Sequence, residues 1–354
     1  MEKVRVGIIG NSWWTDMMYG PSLLSHDRAE LVAICGRDGE RTREVADKFG
    51  ARRVFTDYRE LASSGEIDAV FVVTPDDLHK EMTLAAIASD LHVFCDKPMA
   101  NNAADAGAMR DAAMAAGIKH MVMFTWRWHP IWRFVKRLLD KGYVGRCRRV
   151  RLQFRVPSSA PGQWRFNAAR ANSVTADLGS HMIDMAQWWL APVVEVDAHL
   201  QTLRPRERDI PDPANDAAFL TLRLADGTMV EVDVSATGSV GDRGATISAE
   251  LQGDAGTIEA RQILFGPEAG VAVRGVGAGG TGFEDLSIPA DLMAGLDAGD
   301  VLSPFKHQSV GPRAFIDAII KDIRPEPDFA VGAQVQEVVD AALRSHLAGQ
   351  RIRL

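Results

Sequence analysis

The run Lys3-Val4-Arg5-Val6-Gly7-Ile8-Ile9, closed by Gly10, constrains the fold most: an apolar strand that leaves on a glycine. A glycine there permits a tight turn into a helix, whose N-terminus offers free N–H groups and a partial positive charge to a phosphate. Further apolar runs follow at Leu31–Cys35, Ala69–Thr74, His92–Cys95 and His120–Phe124, with helix-like stretches such as Gly39–Lys48 and Ala103–Ala116 between them. Near-continuous apolar strands alternating with helices predict a parallel sheet covered on both faces. Right-handed crossovers then make residues 1–124 a doubly wound, Rossmann-type α/β domain.

Beyond residue 125 the texture changes. Ile131–Lys141 reads as a helix with Gly142 suited to its C-terminal cap. In Arg148–Val156, Val150, Leu152, Phe154 and Val156 alternate with Arg149, Arg151, Gln153 and Arg155, the period of a half-buried strand. Similar runs at Val193–Leu203, Ala217–Leu224, Met229–Ala236, Ala245–Gln252, Gly256–Ala260 and Val271–Arg274, separated by turns such as Asp226-Gly227, predict a large, mostly antiparallel sheet. One face meets helices and the other is open to a partner subunit. Residues 125–354 thus form a second, α+β domain. The glycine-rich stretch Gly266–Gly282 reads as a mobile loop and lacks the Lys-Ser/Thr of a P-loop. Pro312–Lys321 and Val331–Leu347 close the chain as helices, the second placed to pack back on the N-terminal domain.

Composition excludes several classes. The chain of 354 residues carries 40 basic and 47 acidic side chains, a net charge of −7, and gives nucleic acid no basic face. No apolar stretch approaches the ~20 residues that span a bilayer. Three scattered cysteines, Cys35, Cys95 and Cys147, form no disulfide framework and no zinc pattern, and suit a reducing cytoplasm. The chain opens on a strand with no signal region ahead of it, so a cytoplasmic location is expected.

Three local patterns carry chemistry. After Gly10 the turn reads Asn11-Ser12-Trp13-Trp14-Thr15, with Ser12 and Thr15 where a full Gly-x-Gly-x-x-Gly fingerprint has small residues. Ser12 still lets a phosphate approach and adds a hydroxyl, although a purely structural strand–helix turn has the same look. The second strand ends in Cys35-Gly36-Arg37, with glycine where an NAD-specific domain places its ribose-binding acid. Arg37 suits a 2′-phosphate, which favours NADP(H) over NAD(H). The other reading makes Arg37 a solvated residue and gives the ribose to Asp38.

Lys97, in Asp96-Lys97-Pro98, stands where open parallel sheets bind ligands, and Pro98 restricts its backbone. The same tripeptide also occurs as an exposed turn. His181 opens an apolar helix, with Asp177 four residues before it and Asp184 three after, so that carboxylates flank an imidazole. Alternatively, Asp177 or Ser180 simply caps that helix. No metal-ligand spacing accompanies it.

Together these runs resemble the Gfo/Idh/MocA oxidoreductases, named for glucose-fructose oxidoreductase, inositol dehydrogenase and a rhizopine catabolism protein. The likeness extends to Thr74-Pro75-Asp76-Asp77-Leu78-His79, to Arg127 with Pro130, to Trp164-Arg165 and to the closing helix with Ala341, Ala342 and Ser345. Asp96 stands in place of the family's glutamate. The resemblance implies NAD(P)-dependent oxidation or reduction of sugars, polyols or sugar acids by a homodimer or homotetramer joined through the open sheet.

It further implies catalytic roles for Lys97 on the reacting oxygen, His181 as acid/base and Asp177 as its substrate-binding partner. Gly10, Asn11, Ser12, Trp13, Trp14, Gly36, Arg37, Thr74, Pro75, His79, Asp96 and Lys97 would hold the cofactor. Arg127, Trp164, Arg165, Asp177 and His181 would meet the substrate, with Trp126, Trp128 and His129 adding aromatic faces and donors nearby. A ligand sensor without turnover, or a cofactor-retaining enzyme of elimination or glycoside cleavage, are the alternatives.

Overall fold

In the computed structural model, residues 3–157, 164–172, 174–203, 212–297, 299–306 and 310–354 are described. They form two compact units, one of residues 1–124 with 303–336, the other of 125–302 with 337–354. The return of 303–336 to the first unit departs from a boundary drawn once at residue 124.

The first unit is built on strands β1 (Val4–Ile9), β2 (Ala29–Cys35), β3 (Arg53–Phe55), β4 (Ala69–Val72), β5 (His92–Asp96) and β6 (His120–Met123). All pairings are parallel and the order is β3-β2-β1-β4-β5-β6, the doubly wound arrangement that reverses beside β1. Helices α1 (Gly20–Leu24), α2 (Gly39–Phe49), α3 (Tyr58–Ala62), α4 (His79–Ile87) and α5 (Ala103–Ala116) fill the crossovers. Asp38 caps α2 by accepting from the Glu40 and Arg41 amides, and Asn102 caps α5 by accepting from Asp105.

The strands run apolar from end to end because both faces are covered. Val6, Ile8, Val70, Phe71, Val93 and Phe94 are fully buried. The physical reason for the returning segment is aromatic. After α6 (Pro130–Asp140), α7 (Ser180–Trp189) and α8 (Ser303–Lys306) comes α9 (Val310–Ile320), whose Phe315 meets Phe71 and Phe94 edge-on at 5.9 and 5.5 Å. Those two rings stack at 4.3 Å, and Tyr19 closes the cluster. A 20-residue α10 (Phe329–Ala348) begins in the first unit, its Phe329 amide bonded to His120 Nδ1 at 3.1 Å, and the division between units falls within it.

The second unit holds a nine-stranded sheet. Its strands are β7 (Cys147–Arg155), β8 (Val193–Gln201), β9 (Ala217–Leu224), β10 (Met229–Ser235), β11 (Thr246–Gly253), β12 (Thr257–Ile263), β13 (Gly270–Val276), β14 (Glu284–Asp285) and β15 (Ile352–Arg353). Every pairing is antiparallel except β7 with β10, where the chain crosses over rather than turning back. On β7 the alternation holds: Val150, Leu152 and Phe154 are buried under α7, while Arg149, Arg151 and Arg155 face outward. There they pair across strands with Glu231, Glu250 and Asp233, giving an ordered but solvated charge ladder. Beneath the sheet, Trp132 Nε1 of α6 donates to Gln262 Oε1 of β12 at 2.9 Å in a buried contact.

One strand is new, one expectation changes and one holds. Arg53–Phe55 is a strand too short for a pattern to reveal. The glycine-rich stretch is not a loop throughout, since the expected strand at Val271–Arg274 extends within it to β13 and pairs with β12 over seven residues. Gly142 ends α6 as expected, at φ +71° directly after the C-cap residue Lys141, where glycine suits the left-handed backbone.

The Phe71–Phe94–Phe315 cluster predicts that Phe315→Ala destabilises the first unit by ~3–5 kcal/mol, the range for deleting a buried aromatic ring. Chemical denaturation followed by the near-UV signal checks it. A loss under ~1 kcal/mol would mean that α9 adds little to this core.

Candidate active site

In the first unit the expected residues gather at the carboxyl ends of adjacent strands. Gly10 leaves β1 at φ +122°, and a Cβ there would lie 2.1 Å from the Val73 carbonyl oxygen, so only glycine lets β1 and β4 end this close together. Thr15 Oγ1 donates to the Gly10 carbonyl at 2.8 Å and braces the turn. The helix that follows opens as a π turn, Thr15–Tyr19, with no side-chain cap. Ser12 Oγ and Thr74 Oγ1 are buried hydroxyls without a hydrogen-bond partner in the protein. Spare donors beside an obligatory glycine fit the phosphates and amide of a dinucleotide. Trp13 is 53% exposed and lies edge-on to Trp14 at 4.7 Å; Trp14 in turn meets Phe305.

At the end of β2, a Cβ on Gly36 would come within 2.6 Å of Thr42 Oγ1 and 2.8 Å of Asn11 Nδ2. Asn11 Nδ2 donates to Thr42 Oγ1 at 3.1 Å, so Asn11 serves to fix this corner. An acidic side chain at residue 36 would have to displace the Thr42 hydroxyl and the Asn11 amide. Asp38 Oδ1 is taken by two helix amides, at 3.1 Å each, while Arg37 is exposed.

Lys97 follows β5 directly. Its amide donates to Asp96 Oδ1 at 2.8 Å, and the Lys97–Pro98 peptide is cis. Burial raises the Asp96 carboxyl above its ordinary value, against the pull of Lys97, His79, the Lys97 amide and the Tyr19 hydroxyl. His79 is fully buried, with Nδ1 2.9 Å from the Pro98 carbonyl oxygen and Nε2 2.9 Å from that of Thr74, so both ring nitrogens face backbone.

In the second unit, His181 lies on the first turn of α7, 4% exposed, with the Trp126 and Phe154 rings at 6.0 and 6.2 Å. A second π turn, Thr175–Gly179, leads into α7 and carries Asp177. Insertions of this kind inside helices occur disproportionately at functional sites. Thr175 donates through its amide and hydroxyl to Asn215 Oδ1, at 3.2 and 2.7 Å, which ties the π turn to the chain just before β9. Neither Asp177 nor Ser180 caps the helix: the cap position is Gly179, with no side-chain bond. Asp177 instead faces Arg165 at 3.6 Å, and the Arg165 guanidinium lies over the Trp164 ring at 4.5 Å.

Asp184 binds Arg127. The pair is almost wholly buried and bidentate, Arg127 Nε to Asp184 Oδ2 at 3.1 Å and Nη2 to Oδ1 at 2.5 Å, with Trp188 stacked at 5.2 Å. Arg127 therefore pins α7 to the 3-10 turn Thr125–Trp128 and is not presented as a substrate contact. His129 is likewise committed. Burial drives its pKa down to about 4 against the Val301 carbonyl, 3.2 Å from Nε2, and it is neutral.

Family comparisons agree with both units. The oxidoreductase family, NAD-binding Rossmann fold, matches residues 4–124, and the GFO/IDH/MocA C-terminal domain matches residues 132–259. The chain belongs to the Gfo/Idh/MocA oxidoreductase family. A levoglucosan dehydrogenase of Pseudarthrobacter phenanthrenivorans is 30% identical over 281 residues, 75% of this chain and 69% of that one. A scyllo-inositol 2-dehydrogenase (NADP(+)) of Bacillus subtilis is 33% identical over 171 residues, 48% of this chain and 50% of that one. An NAD-binding oxidoreductase from Klebsiella pneumoniae superposes with a TM-score of 0.86 at 26% identity, over 99% of both chains. A levoglucosan dehydrogenase in complex with NADH shares the fold, with a TM-score of 0.85 at 24% identity over 99% of both chains.

This Gfo/Idh/MocA chain is thus an oxidoreductase of a family whose relatives include sugar and polyol dehydrogenases. Among its described residues no group of His, Cys, Asp and Glu could hold a metal, and no helix is long and apolar enough to cross a membrane. Sequence reasoning missed Asn215, which sits in no motif. It noticed Asp184 without its partner, and spacing along one helix holds no sign of an arginine 57 residues earlier.

Removing one member of a buried ion pair strands the other charge, at ~3–5 kcal/mol. Arg127→Met is therefore expected to lower stability by about that much. A loss within ~1 kcal/mol in a denaturant titration would place the pair in solvent.

Proposed function

We propose that the protein is a cytoplasmic NADP(H)-dependent dehydrogenase or reductase acting on a C–OH group of a sugar, polyol or sugar acid, as a homodimer or homotetramer. The observation that carries the reading is the end of β2. A glycine packed against the Thr42 and Asn11 side chains, an aspartate engaged as a helix cap and an exposed Arg37 together favour a 2′-phosphate over bare ribose hydroxyls. The NADP(+)-dependent inositol dehydrogenase among the relatives supports the same preference. Three free, buried cysteines suit the cytoplasm, and the levoglucosan, inositol and apiose dehydrogenases among the relatives support a carbohydrate or polyol substrate.

Gly10, Ser12, Thr74 and Arg37 are the residues that would hold the dinucleotide, and its nicotinamide supplies the hydride acceptor or donor. The protein's own part is acid–base and electrostatic. In oxidation, His181 takes the hydroxyl proton, and in reduction it returns it. Its apolar setting between Trp126 and Phe154 keeps water from competing for that proton. Lys97 holds the same oxygen and stabilises the negative charge that develops on it. Asp177 and Arg165, with the flat face of Trp164, bind further substrate hydroxyls or a carboxylate.

Lys97→Ala and His181→Ala are each expected to lose at least ~10²-fold in kcat, and near-normal turnover in either would remove that residue from the chemistry. Equilibrium binding followed by nucleotide fluorescence tests the cofactor. Arg37→Ala is expected to weaken NADPH by ~10–100-fold, the value of a charge-assisted hydrogen bond, and to leave NADH unchanged. Equal losses for both would refute the 2′-phosphate role, and no binding of either would favour a sensor without turnover.

A further inference from the structure

We propose that His79 is held as a charged imidazolium whose two N–H groups clamp the Thr74 and Pro98 carbonyls, and that it thereby acts as the positioning residue of Lys97. The inference begins with what each ring nitrogen faces. Pro98 O lies 2.9 Å from Nδ1 and Thr74 O lies 2.9 Å from Nε2. A carbonyl oxygen only accepts, so each contact requires an N–H on the ring. Neutral imidazole has one. Whichever tautomer it adopts, a bare nitrogen would then point its lone pair at a carbonyl oxygen in a site with no solvent exposure. Only the doubly protonated ring satisfies both.

The surroundings support the charge. Burial opposes it, and the Cys95 sulfur, the Asp96 carboxylate and the Pro98 carbonyl outweigh that opposition, raising the imidazole to about 9. The groups that face this cluster are Cys95 and Asp96 of β5, Tyr19 of the first π turn, whose hydroxyl is directed at Asp96, and Lys97 itself. Asp96 thus stands among two cations, a phenol and the Lys97 amide.

The position gives the charge a purpose. Thr74 follows β4 and Pro98 follows β5, and these strands are direct neighbours in the sheet. The clamp fixes the backbone on the far side of Lys97 through Pro98, as Asp96 Oδ1 fixes the near side through the Lys97 amide. The same ring holds the residue whose hydroxyl, Thr74 Oγ1, is a spare donor at the dinucleotide turn. A lysine ammonium on a flexible stem can be aimed only if its backbone is fixed on both sides. The significance for catalysis rests on the role proposed above for Lys97; the protonation state does not.

The full-length protein labelled with ¹⁵N-histidine tests the charge, with the His79 signals assigned by their loss in His79→Gln. Both ring nitrogens are expected to carry protons at neutral pH and to lose one only as the pH rises through about 9. A singly protonated ring at neutral pH overturns the proposal. Because the folded pKa lies above the ordinary 6.5, the stabilisation is complete below 6.5 and disappears as the pH passes about 9. The Tm advantage of wild type over His79→Gln shrinks over that window, which a packing role alone would not cause.

Both N–H groups of glutamine sit on one nitrogen and cannot span the two carbonyls that the ring holds from separate nitrogens, so kcat of folded His79→Gln is expected to fall by ~10²-fold, as for a catalytic group misplaced by about 1 Å. Wild-type kcat in that folded variant overturns the positioning role. If the variant does not fold, the wild type decides. Its kcat falls in step with His79 deprotonation, and a kcat that stays level through that titration overturns the role. An active Lys97→Ala would instead remove Lys97 from the chemistry, leaving the His79 protonation signals as they are.

Discussion

Six parallel strands buried on both faces leave polar side chains only the strand ends to occupy. Val6, Ile8, Val70, Phe71, Val93 and Phe94 exclude water along the sheet, and the residues proposed to hold the nucleotide stand where β1, β2, β4 and β5 stop. The ends can gather only if the backbones approach closely, which Gly10 permits against the Val73 carbonyl and Gly36 permits against Thr42 and Asn11. What the strands themselves cannot carry, the turns after them must. The dense polar bracing there, Thr15 to Gly10, Thr42 to the Gly36 and Asp38 carbonyls, and Asp96 to Lys97, follows from that restriction.

The second unit meets a different constraint. Among the described residues its sheet is covered on one face only, so the alternation of β7 sorts Val150, Leu152 and Phe154 inward and three arginines outward. The buried face must therefore carry both the core and the histidine. Helix α7 solves this with a break in regularity: a π turn admits Asp177 and brings His181 onto the first α-helical turn. Asn215 satisfies the backbone and hydroxyl of Thr175 at the entry of that turn, a polar need that a regular helix would not have created there.

These differences explain what was legible. Continuous apolar runs and clean alternation reveal β1, β2, β4, β5, β6 and most of the second sheet, because burial on one face or two imposes those periods directly. Arg53–Phe55 is too short to show a period, and of β13 the alternation shows Val271–Arg274 but not the flanking residues, where glycine and a two-residue β14 carry no pattern. The joining of 303–336 to the first unit depends on Phe315 finding Phe71 and Phe94, a contact between residues more than two hundred positions apart. Motifs brought out Lys97, Asp177 and His181, since their chemistry is local to a turn or a helix end. The use of Arg127, Asp184 and His79 was not legible, because each is decided by a partner distant in the chain.

Buried charge is a poor route to stability, since desolvation offsets much of the attraction. Its presence near each unit's expected acid–base or oxygen-binding residue therefore calls for another explanation. Each unit has one such arrangement. His79 and Asp96 enclose the backbone on either side of Lys97, and Arg127 with Asp184 secures the helix that carries His181. Apolar packing of equal volume would hold these segments as tightly against the core, but it tolerates small slides and rotations. A bidentate ion pair and a two-ended imidazolium do not, because displacement leaves a donor or an acceptor unsatisfied in a dry site. In this protein the buried ions fix where a side chain stands more than whether the chain folds.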